Sequence, residues 1–378
     1  MGGATVENAG QGEADRRFMA AAIRLSRRNL GLTAENPSVG ALVVRTDSGG
    51  VPVIVGRGVT ARGGRPHAEL QALAEAGEDA RGATVYCTLE PCSHIGRAPP
   101  CADALVTAGV GRVVVATLDH DPRVAGRGIG ILEKAGIEVS VGCEAAAARE
   151  AMAGFLSLKG RGRPFVTLKL AVSTDGMIGR RGAGQVSITG ALSRRMVHVM
   201  RSMHEAVLVG VGTVIEDDPQ LSVRLDGMAD RSPVRVVVDP FGRTPPAASL
   251  LAARDCGRVI VLASEKAPAA ALARLRQQGA TVTMLPSDYR GRFAPQEILR
   301  SLGVVGIKSV FVEGGADTAR RLLEADLVDR LALFSGSVEV GSDGIASPLT
   351  EATIPSGFKA VSMAIYDGDL LTEYERTA

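Results

Sequence analysis

Short apolar runs alternate with amphipathic segments along most of the chain. From Asp15, apolar residues at Phe18, Ala22 and Leu25 recur at helical spacing until Gly31, which predicts a first helix. Apolar runs with strand character follow at 39–44, 53–58, 83–89, 112–117 and 137–141. Helical patterns separate several of these runs, one of them beginning at Cys101. The first half is therefore predicted to be an α/β domain.

The alternation is interrupted once and then resumes. Residues 144–159 are helical in period, and the sequence Gly-Arg-Gly-Arg-Pro at 160–164 ends that pattern. We place a domain boundary there. Apolar strands are predicted in the second half at 165–171, 206–211, 234–238, 259–262, 281–285 and 310–313. They indicate a second α/β domain with a mainly parallel sheet.

Composition sets limits on the class of protein. The chain has 378 residues, of which 46% are hydrophobic, enough for two separate cores. The Gly-rich polar segment 1–13 predicts a disordered tail, followed by domains at 14–160 and 161–378. A formal net charge of +2 provides no broad positive field for nucleic acid. No apolar run is long enough to span a membrane. On the charge, nucleic acid is not an expected partner, and on the apolar runs, a membrane is not one either.

Four residues in the first half carry the chemistry. His67, Cys92 and Cys101 provide one imidazole and two thiolates, a three-ligand set for Zn²⁺ with a fourth position open, as in catalytic sites. Glu69 follows His67 by two positions, where a helix begins. Hydrolytic nucleobase deaminases use a non-ligand Glu in His-x-Glu to move protons between the attacking water and the leaving amine. Glu69 is therefore the predicted general acid/base.

Taken singly, each of these residues has a simpler explanation. A lone His is commonly a loop residue, and a lone Cys is commonly a small core residue. The ordered combination of His-Ala-Glu with two later cysteines favours zinc. In one respect it departs from the usual deaminase pattern Pro-Cys-x-x-Cys, because eight residues separate Cys92 from Cys101.

The chain contains five cysteines, an odd number. Two are assigned to the metal, which indicates a reducing compartment and predicts a cytoplasmic protein. The remaining three lie beside apolar runs and are predicted to be buried free thiols. They are Cys87, Cys143 and Cys256.

Two glycine-rich turns in the second half leave predicted strands and enter predicted helices, at 209–213 and 313–316. Exposed backbone N–H groups at such turns can bind phosphate. Neither turn has the Gly-x-Gly-x-x-Gly spacing of the common dinucleotide fingerprint, and most glycine-rich turns have no ligand.

Several motifs together resemble one family, the bifunctional deaminase/reductase of riboflavin biosynthesis, from about Asp15 to the C-terminus. In the first half they are Asn-Pro-Ser-Val-Gly at 36–40, His-Ala-Glu at 67–69, the string 88–101 that contains both cysteines, and 121–128. In the second half they are 168–176, 213–219, 221–224 and 313–315. The resemblance implies a cytidine-deaminase-like three-layer domain followed by a dihydrofolate-reductase-like α/β domain.

The resemblance also implies cofactors, substrate and site residues. It implies Zn²⁺, NADPH and a phosphoribosylaminopyrimidine that is first deaminated and then reduced in its ribose chain. The implied cofactor-binding residues are Ala171, Ser187, Thr213, Asp217, Gly315, Ala316, Asp317 and Thr318. The implied substrate-binding residues are Asn36, Lys169, Gln185, Arg201, Leu221, Arg224 and Glu313. For Asn36 the alternative is a turn residue before Pro37, and for each Arg or Lys it is a surface charge.

One segment departs from the family pattern. Where the family has a Ser, then a Trp followed by Ile-Thr, this chain reads Gln-Val-Ser-Ile-Thr at 185–189, and it contains no Trp. Gln185 can replace the Ser as a hydrogen-bond donor, whereas Ser187 offers far less stacking area than an indole.

Three other functions are compatible with parts of the sequence. A zinc nucleoside or tRNA deaminase with an inactive reductase-like second domain would explain the first half alone. A reductase with a structural zinc module would leave Glu69 without a use. A binding protein without activity is the third, and ammonia release would exclude it. A homo-oligomer is compatible with every one of these functions.

Overall fold

The computed structural model describes residues 9–93, 99–119, 125–253 and 256–377. The chain divides into two compact units, Met1–Arg161 and Gly162–Ala378. Parts of two family motifs, at 94–98 and 121–124, lie outside the described residues, as do residues 1–8 of the predicted tail.

The first unit is built on one mixed sheet. Its helices are α1 (Ala9–Ser26), α2 (Ala68–Ala76), α3 (Cys101–Ala108), α4 (Arg127–Lys134), α5 (Ala145–Ala151) and α6 (Ala153–Arg161). Its strands are β1 (Gly40–Thr46), β2 (Pro52–Val59), β3 (Thr84–Cys87), β4 (Arg112–Val115) and β5 (Glu138–Val141). In the described part of the unit the strand order is β2-β1-β3-β4-β5, with β3, β4 and β5 parallel and the other pairs antiparallel.

Glycines bring helices onto both faces of this sheet. A Cβ at Gly40 would lie 2.1 Å from the carbonyl oxygen of Ala22, so α1 packs directly on β1. Gly56 and Gly58 of β2 make equally close approaches to α2. Gly58 is in register with Ala41, whose side chain points to the face opposite that of Gly40. Helices α1 and α2 therefore cover opposite faces, and the predicted three-layer arrangement is confirmed.

The N-terminal helix is longer than predicted. It begins at Ala9, so residues 9–13, assigned to a disordered tail from their composition, are helical. The physical reason is cooperativity. Once the amphipathic part of α1 is fixed by packing, each preceding turn adds backbone hydrogen bonds without a new nucleation cost.

The second unit contains a larger sheet. Its helices are α7 (Ala191–Ser202), α8 (Val211–Asp217), α9 (Ser249–Ala252), α10 (Ala269–Gln277), α11 (Pro295–Val304) and α12 (Ala316–Glu324). Its strands are β6 (Phe165–Val172), β7 (Met177–Arg180), β8 (Ala206–Gly210), β9 (Val234–Val238), β10 (Val259–Ala263), β11 (Thr281–Met284), β12 (Ser309–Val312), β13 (Arg330–Ser335), β14 (Gly344–Ala346), β15 (Phe358–Tyr366) and β16 (Asp369–Arg376).

The main sheet of this unit is mostly parallel, as predicted. Within the described residues its strand order is β11-β10-β9-β8-β12-β6-β13-β16-β15. The first seven strands of this order, from β11 across to β13, pair in parallel with their neighbours. Alternate residues of β8 belong to different cores, Ala206 and Leu208 to one and Val207 and Val209 to the other. The sheet is therefore covered on both faces.

The antiparallel edge of this sheet was not predicted. Strand β15 is exposed at most positions, and side chains such as Met363 point into solvent. Lys359 and Ser362 interrupt the apolar residues of this strand, so its sequence lacks the long apolar run that burial on two faces produces. Its partner β16 is anchored to β13 by an antiparallel ladder that links Arg330 to Glu375.

The cysteines correct one prediction. Cys87 is buried, whereas Cys143 and Cys256 are partly exposed because both lie in loops at the ends of strands. None of the five described cysteines forms a disulfide bond. Among the described residues there is no helix with the length and apolar character needed to cross a membrane.

Candidate active sites

The predicted metal ligands converge at one point of the first unit. The Nδ1 atom of His67 lies 3.7 Å from Sγ of Cys92 and 3.4 Å from Sγ of Cys101. The three donor atoms lie within 4.8 Å of one another. His67 immediately precedes α2, and Cys101 is the first residue of α3. Two helix N-termini therefore face the ligand set, which favours negatively charged thiolates there.

The donor set fits zinc in chemistry and in spacing. With usual Zn–S and Zn–N bond lengths, tetrahedral geometry separates a nitrogen ligand from a sulfur ligand by about 3.6 Å. The two observed distances from His67 bracket that value. The thiol of Cys101, the His67 ring and the Cys101 N–H, 3.3 Å away, hold the pKa of Cys92 well below its usual value. The thiolate is the form that binds metal.

Glu69 lies in the first turn of α2, beside the ligands. It is buried, with 4% of its surface exposed, and burial raises its pKa to about 7. A group with a pKa near the working pH can both accept and return a proton. The packing of α2 against Gly56 and Gly58 fixes the direction of this first turn.

A cavity of about 310 Å³ opens beside the ligands. Asn36 lines it together with His67, Glu69 and Cys92. The side-chain amide of Asn36 donates to the carbonyl oxygen of Gly64 at 3.2 Å, and its backbone N–H closes a turn onto Thr33. Asn36 is thus a turn residue whose side chain also faces the cavity, so the two readings of this position are compatible.

Glu90 is a residue of this site that sequence reasoning missed. Its buried carboxylate accepts hydrogen bonds from the backbone N–H groups of Asp119, Gly126 and Gly128. This carboxylate therefore links Asp119, which follows β4, to Gly126 and Gly128 at the start of α4. The sequence signal for Glu90 was its position directly before Pro91, within the segment 88–101 that contains both cysteine ligands.

The reductase residues implied by the resemblance converge in the second unit. A cavity of about 510 Å³ lies there. Its lining includes all but one of them: Lys169, Ala171, Gln185, Ser187, Arg201, Thr213, Asp217, Leu221, Arg224, Glu313, Gly315, Ala316 and Asp317. Thr318 is the exception, and its hydroxyl packs beneath the turn, near Gly210.

The two glycine-rich turns lie side by side because β8 and β12 are neighbours in the sheet. A Cβ at Gly314 would lie 3.1 Å from Oγ1 of Thr213, and Gly315 has a φ of 75° that favours glycine. Both turns lead into helices, α8 and α12, and residues from the first turn of each helix line the cavity. This is the position at the carboxyl end of the strands where α/β sheets bind dinucleotides.

Of the three predicted substrate-binding cations that line this cavity, Lys169, Arg201 and Arg224, Arg224 is the exposed one. Arg201 is 9% exposed, and its guanidinium donates twice to Glu313 and once to the carbonyl oxygen of Ser222. Arg224 is exposed, with a single long contact of 3.4 Å to Gln220. Lys169 lies beside Glu313, and burial lowers its pKa.

His198 also lines this cavity and was not predicted from the sequence. It lies one turn before Arg201 on α7, and its Nδ1 is 3.1 Å from the carbonyl oxygen of Ser222 and 3.3 Å from the backbone N of Arg224. A single histidine within an amphipathic helix gives no signal of its own, because its neighbours in space come from a distant loop.

The segment that lacks the family Trp lies at the same cavity. Gln185, Ser187 and Thr189 all line it. A Cβ at Gly336 would lie 2.1 Å from the carbonyl oxygen of Ile188, so the segment packs closely against the end of β13.

Comparison with known families assigns both halves. Residues 12–117 match the zinc-binding region of cytidine and deoxycytidylate deaminases. Residues 164–369 match the RibD C-terminal domain. The predicted fold class, a deaminase-like α/β domain followed by a reductase α/β domain, is thereby confirmed.

Curated relatives match most of the chain. The riboflavin biosynthesis protein RibD of Aquifex aeolicus is 39% identical over 322 residues, which are 85% of this chain and 86% of that protein. The protein of the same name from Escherichia coli is 38% identical over 341 residues, 87% of this chain and 89% of the relative.

Solved structures extend the similarity to the fold. RibD of Acinetobacter baumannii superposes with a TM-score of 0.83 at 34% identity, covering 97% of this chain and 100% of that one. The diaminohydroxyphosphoribosylaminopyrimidine deaminase/5-amino-6-(5-phosphoribosylamino)uracil reductase of Thermotoga maritima gives a TM-score of 0.82 at 34% identity, with coverages of 97% and 99%. The chain therefore belongs to the bifunctional deaminase/reductase family of riboflavin biosynthesis.

Proposed function

We propose that the chain catalyses two consecutive steps of riboflavin biosynthesis. In the first, 2,5-diamino-6-(5-phosphoribosylamino)pyrimidin-4(3H)-one loses an amino group by hydrolysis. In the second, the ribose chain of the product is reduced to ribityl with NADPH. The observation that carries this proposal is the placement of Glu69 beside three predicted zinc ligands at a cavity of the first unit. The cavity of the second unit is lined by both glycine-rich turns.

His67, Cys92 and Cys101 would hold the zinc ion. A zinc ion in such a site lowers the pKa of water to about 7 and so supplies a nucleophile at neutral pH. Glu69 accepts the proton of the attacking water and delivers it to the departing amino group. Asn36 lies at the wall of the same cavity and orients the pyrimidine ring.

NADPH supplies the hydride for the second step. The turns at Thr213 and Gly315 would hold its pyrophosphate, and Ala171, Ser187 and Asp217, which line the same cavity, would contact the rest of the cofactor. Arg224 binds the substrate phosphate through its guanidinium fork. Arg201 orients the carboxylate of Glu313, which together with Lys169 faces the sugar hydroxyls. The protein contributes position and charge.

We assign the deaminase to residues 14–160 and the reductase to 161–378. The compact units Met1–Arg161 and Gly162–Ala378 support this division. We further propose a cytoplasmic enzyme, because five cysteines without a disulfide fit a reducing compartment. We also propose a homo-oligomer, supported by exposed apolar side chains on the outer strand β15 such as Met363 and Ile365. Light scattering of the purified protein tests that assembly, and a monomeric mass refutes it.

The function is tested by a paired assay on purified protein. Zinc content is measured first, then ammonia release and NADPH oxidation with the diaminopyrimidine ribotide as substrate. About one zinc per chain with both signals supports the bifunctional enzyme. Ammonia release without NADPH oxidation supports instead a deaminase with an inactive second domain, and the fault would then lie at the segment 185–189.

A further inference from the structure

The wall of the deaminase cavity includes a helix that neither matched family model covers. The two models match residues 12–117 and 164–369, and α6 (Ala153–Arg161) lies between them. Phe155 and Lys159 of α6 line the cavity together with Glu69 and Asn36. This helix therefore contributes to the deaminase site, although it precedes the domain boundary directly.

Phe155 and Lys159 are four residues apart and lie on the same side of α6. Phe155 is buried, with 8% of its surface exposed, whereas Lys159 is exposed. The Nζ atom of Lys159 lies 5.8 Å from the centre of the Phe155 ring, within the range of a cation–π contact. The aromatic ring forms the wall, and it holds the ammonium group at the cavity mouth.

Arg65 provides a second cation at the same cavity. It precedes the metal ligand His67 by two residues, and its side chain is exposed while it lines the cavity. Neither Arg65 nor Lys159 forms an ion pair with any residue that the structure describes. Two exposed cations from separate segments thus line the same cavity as the metal ligands His67 and Cys92.

We propose that Arg65 and Lys159 bind the 5′-phosphate of the substrate during deamination, so that the first site distinguishes the ribotide from the riboside. This inference rests on the proposed deaminase function. A cavity of about 310 Å³ is at the lower end of the range for small-molecule sites, so the ring lies at the metal and the phosphate reaches the exposed mouth. A guanidinium fork and an ammonium group are the ordinary partners of a phosphate dianion.

Two carboxylates at the cavity oppose the binding of an anion, which limits how a phosphate can be held there. Glu35 and Asp119 also line it, and both repel a dianion. The phosphate is therefore placed by direct contact with Arg65 and Lys159, since the summed charge of the cavity does not attract it.

The test compares Lys159→Ala and Arg65→Ala with the wild-type enzyme, all as the full-length zinc-loaded chain. Steady-state ammonia release is measured with the ribotide and with the corresponding riboside. Each variant is expected to raise KM for the ribotide at least about tenfold, as for loss of a charge-assisted hydrogen bond, while kcat changes less than about twofold. Kinetic constants for the riboside stay unchanged, and Lys159→Arg restores most of the ribotide KM.

Lys134→Ala is the matched control, because it removes one exposed lysine from α4 in the same unit without touching the cavity. Equal losses on ribotide and riboside, or an unchanged KM for the ribotide, overturn the proposal. Failure of the deaminase function itself would show as no ammonia from the wild type. In that case binding of ribose 5-phosphate decides, measured by calorimetry with Arg224→Ala added to every protein so that the phosphate site of the reductase cavity is removed. Loss of binding in both variants supports the phosphate site, and unchanged binding refutes it.

Discussion

Arg201 and Glu313 form a buried, two-pronged ion pair at the floor of the reductase cavity. The Nη2 atom of Arg201 lies 2.8 Å from Oε2 of Glu313, and Nε bonds the other carboxylate oxygen. Burial alone would raise the pKa of Glu313, but the guanidinium holds it below its usual value. Glu313 is therefore ionised at neutral pH and fixed in direction, and Arg201 acts on substrate mainly through it.

Arg201→Ala should strongly destabilise the second unit. Removing one partner leaves a buried carboxylate without its counter-charge, which typically costs about 3–5 kcal/mol. Arg224→Ala is the control, because Arg224 is exposed, and its loss should change stability by less than about 0.5 kcal/mol. Urea unfolding of both variants measures the difference, and similar midpoints would contradict the structural importance of the pair.

Arg224→Ala should selectively weaken substrate binding. Its guanidinium lines the cavity and has one long contact to Gln220, so it is available for the phosphate. We expect KM for the deaminated ribotide to rise at least about tenfold, while KM for NADPH changes little. Steady-state NADPH oxidation at varied concentrations of each substrate checks this. A parallel rise in both constants would count against the phosphate assignment.

Glu69→Gln should abolish deamination and leave the metal bound. Glu69 is not among the three metal ligands, and its amide replacement cannot carry a proton. We expect ammonia release to fall at least about 10²-fold, the usual size of a general acid/base contribution. Zinc analysis of the same sample serves as the control, and NADPH oxidation with already deaminated product should persist. Loss of zinc in this variant would refute the proton-transfer role.

Cys101→Ser should lower zinc occupancy. A hydroxyl is a far poorer zinc ligand than a thiolate. The Sγ atom of Cys101 lies 3.4 Å from Nδ1 of His67, the nitrogen predicted to bind the metal. Cys256→Ser is the matched control, since Cys256 is a free, partly exposed thiol of the second unit. Metal analysis after dialysis against a weak chelator compares them. Full zinc content in Cys101→Ser would show that the ligand assignment is wrong.

His204 should make the second unit less stable in mild acid. Burial lowers its pKa from 6.5 to about 4, while the ring lies 2.9 Å from the hydroxyl of Thr167 and 5.0 Å from the Phe311 ring. Below pH 6.5 the unfolded chain therefore binds a proton that the folded chain does not, and stability falls as the pH drops toward 4. Between pH 7 and pH 5 the loss from this group is up to about 2 kcal/mol.

Urea unfolding of the wild type and of His204→Gln at both pH values isolates this contribution. The variant lacks the titrating ring, so its stability should depend less on pH over this interval. Identical pH dependence in the two proteins would contradict the assignment to His204.

The sequence predicted what short segments decide by themselves. Apolar runs such as 234–238 fix buried strands, because a strand covered on two faces needs apolar residues at nearly every position. The metal centre was predictable because its three ligands lie in two short segments, each next to a helix start. Zinc chemistry restricts which residue types can form such a set.

Tertiary structure alone decided the rest. Arg201 and Glu313 are 112 positions apart, and their pairing depends on how α7 packs beside the end of β12. In the same way Phe155 and Lys159 of α6 join a cavity whose other lining residues all lie between Glu35 and Asp119. Local sequence fixes periodicity and the chemical types available, whereas the choice of partner follows from burial and charge, which exist only once distant segments have packed together.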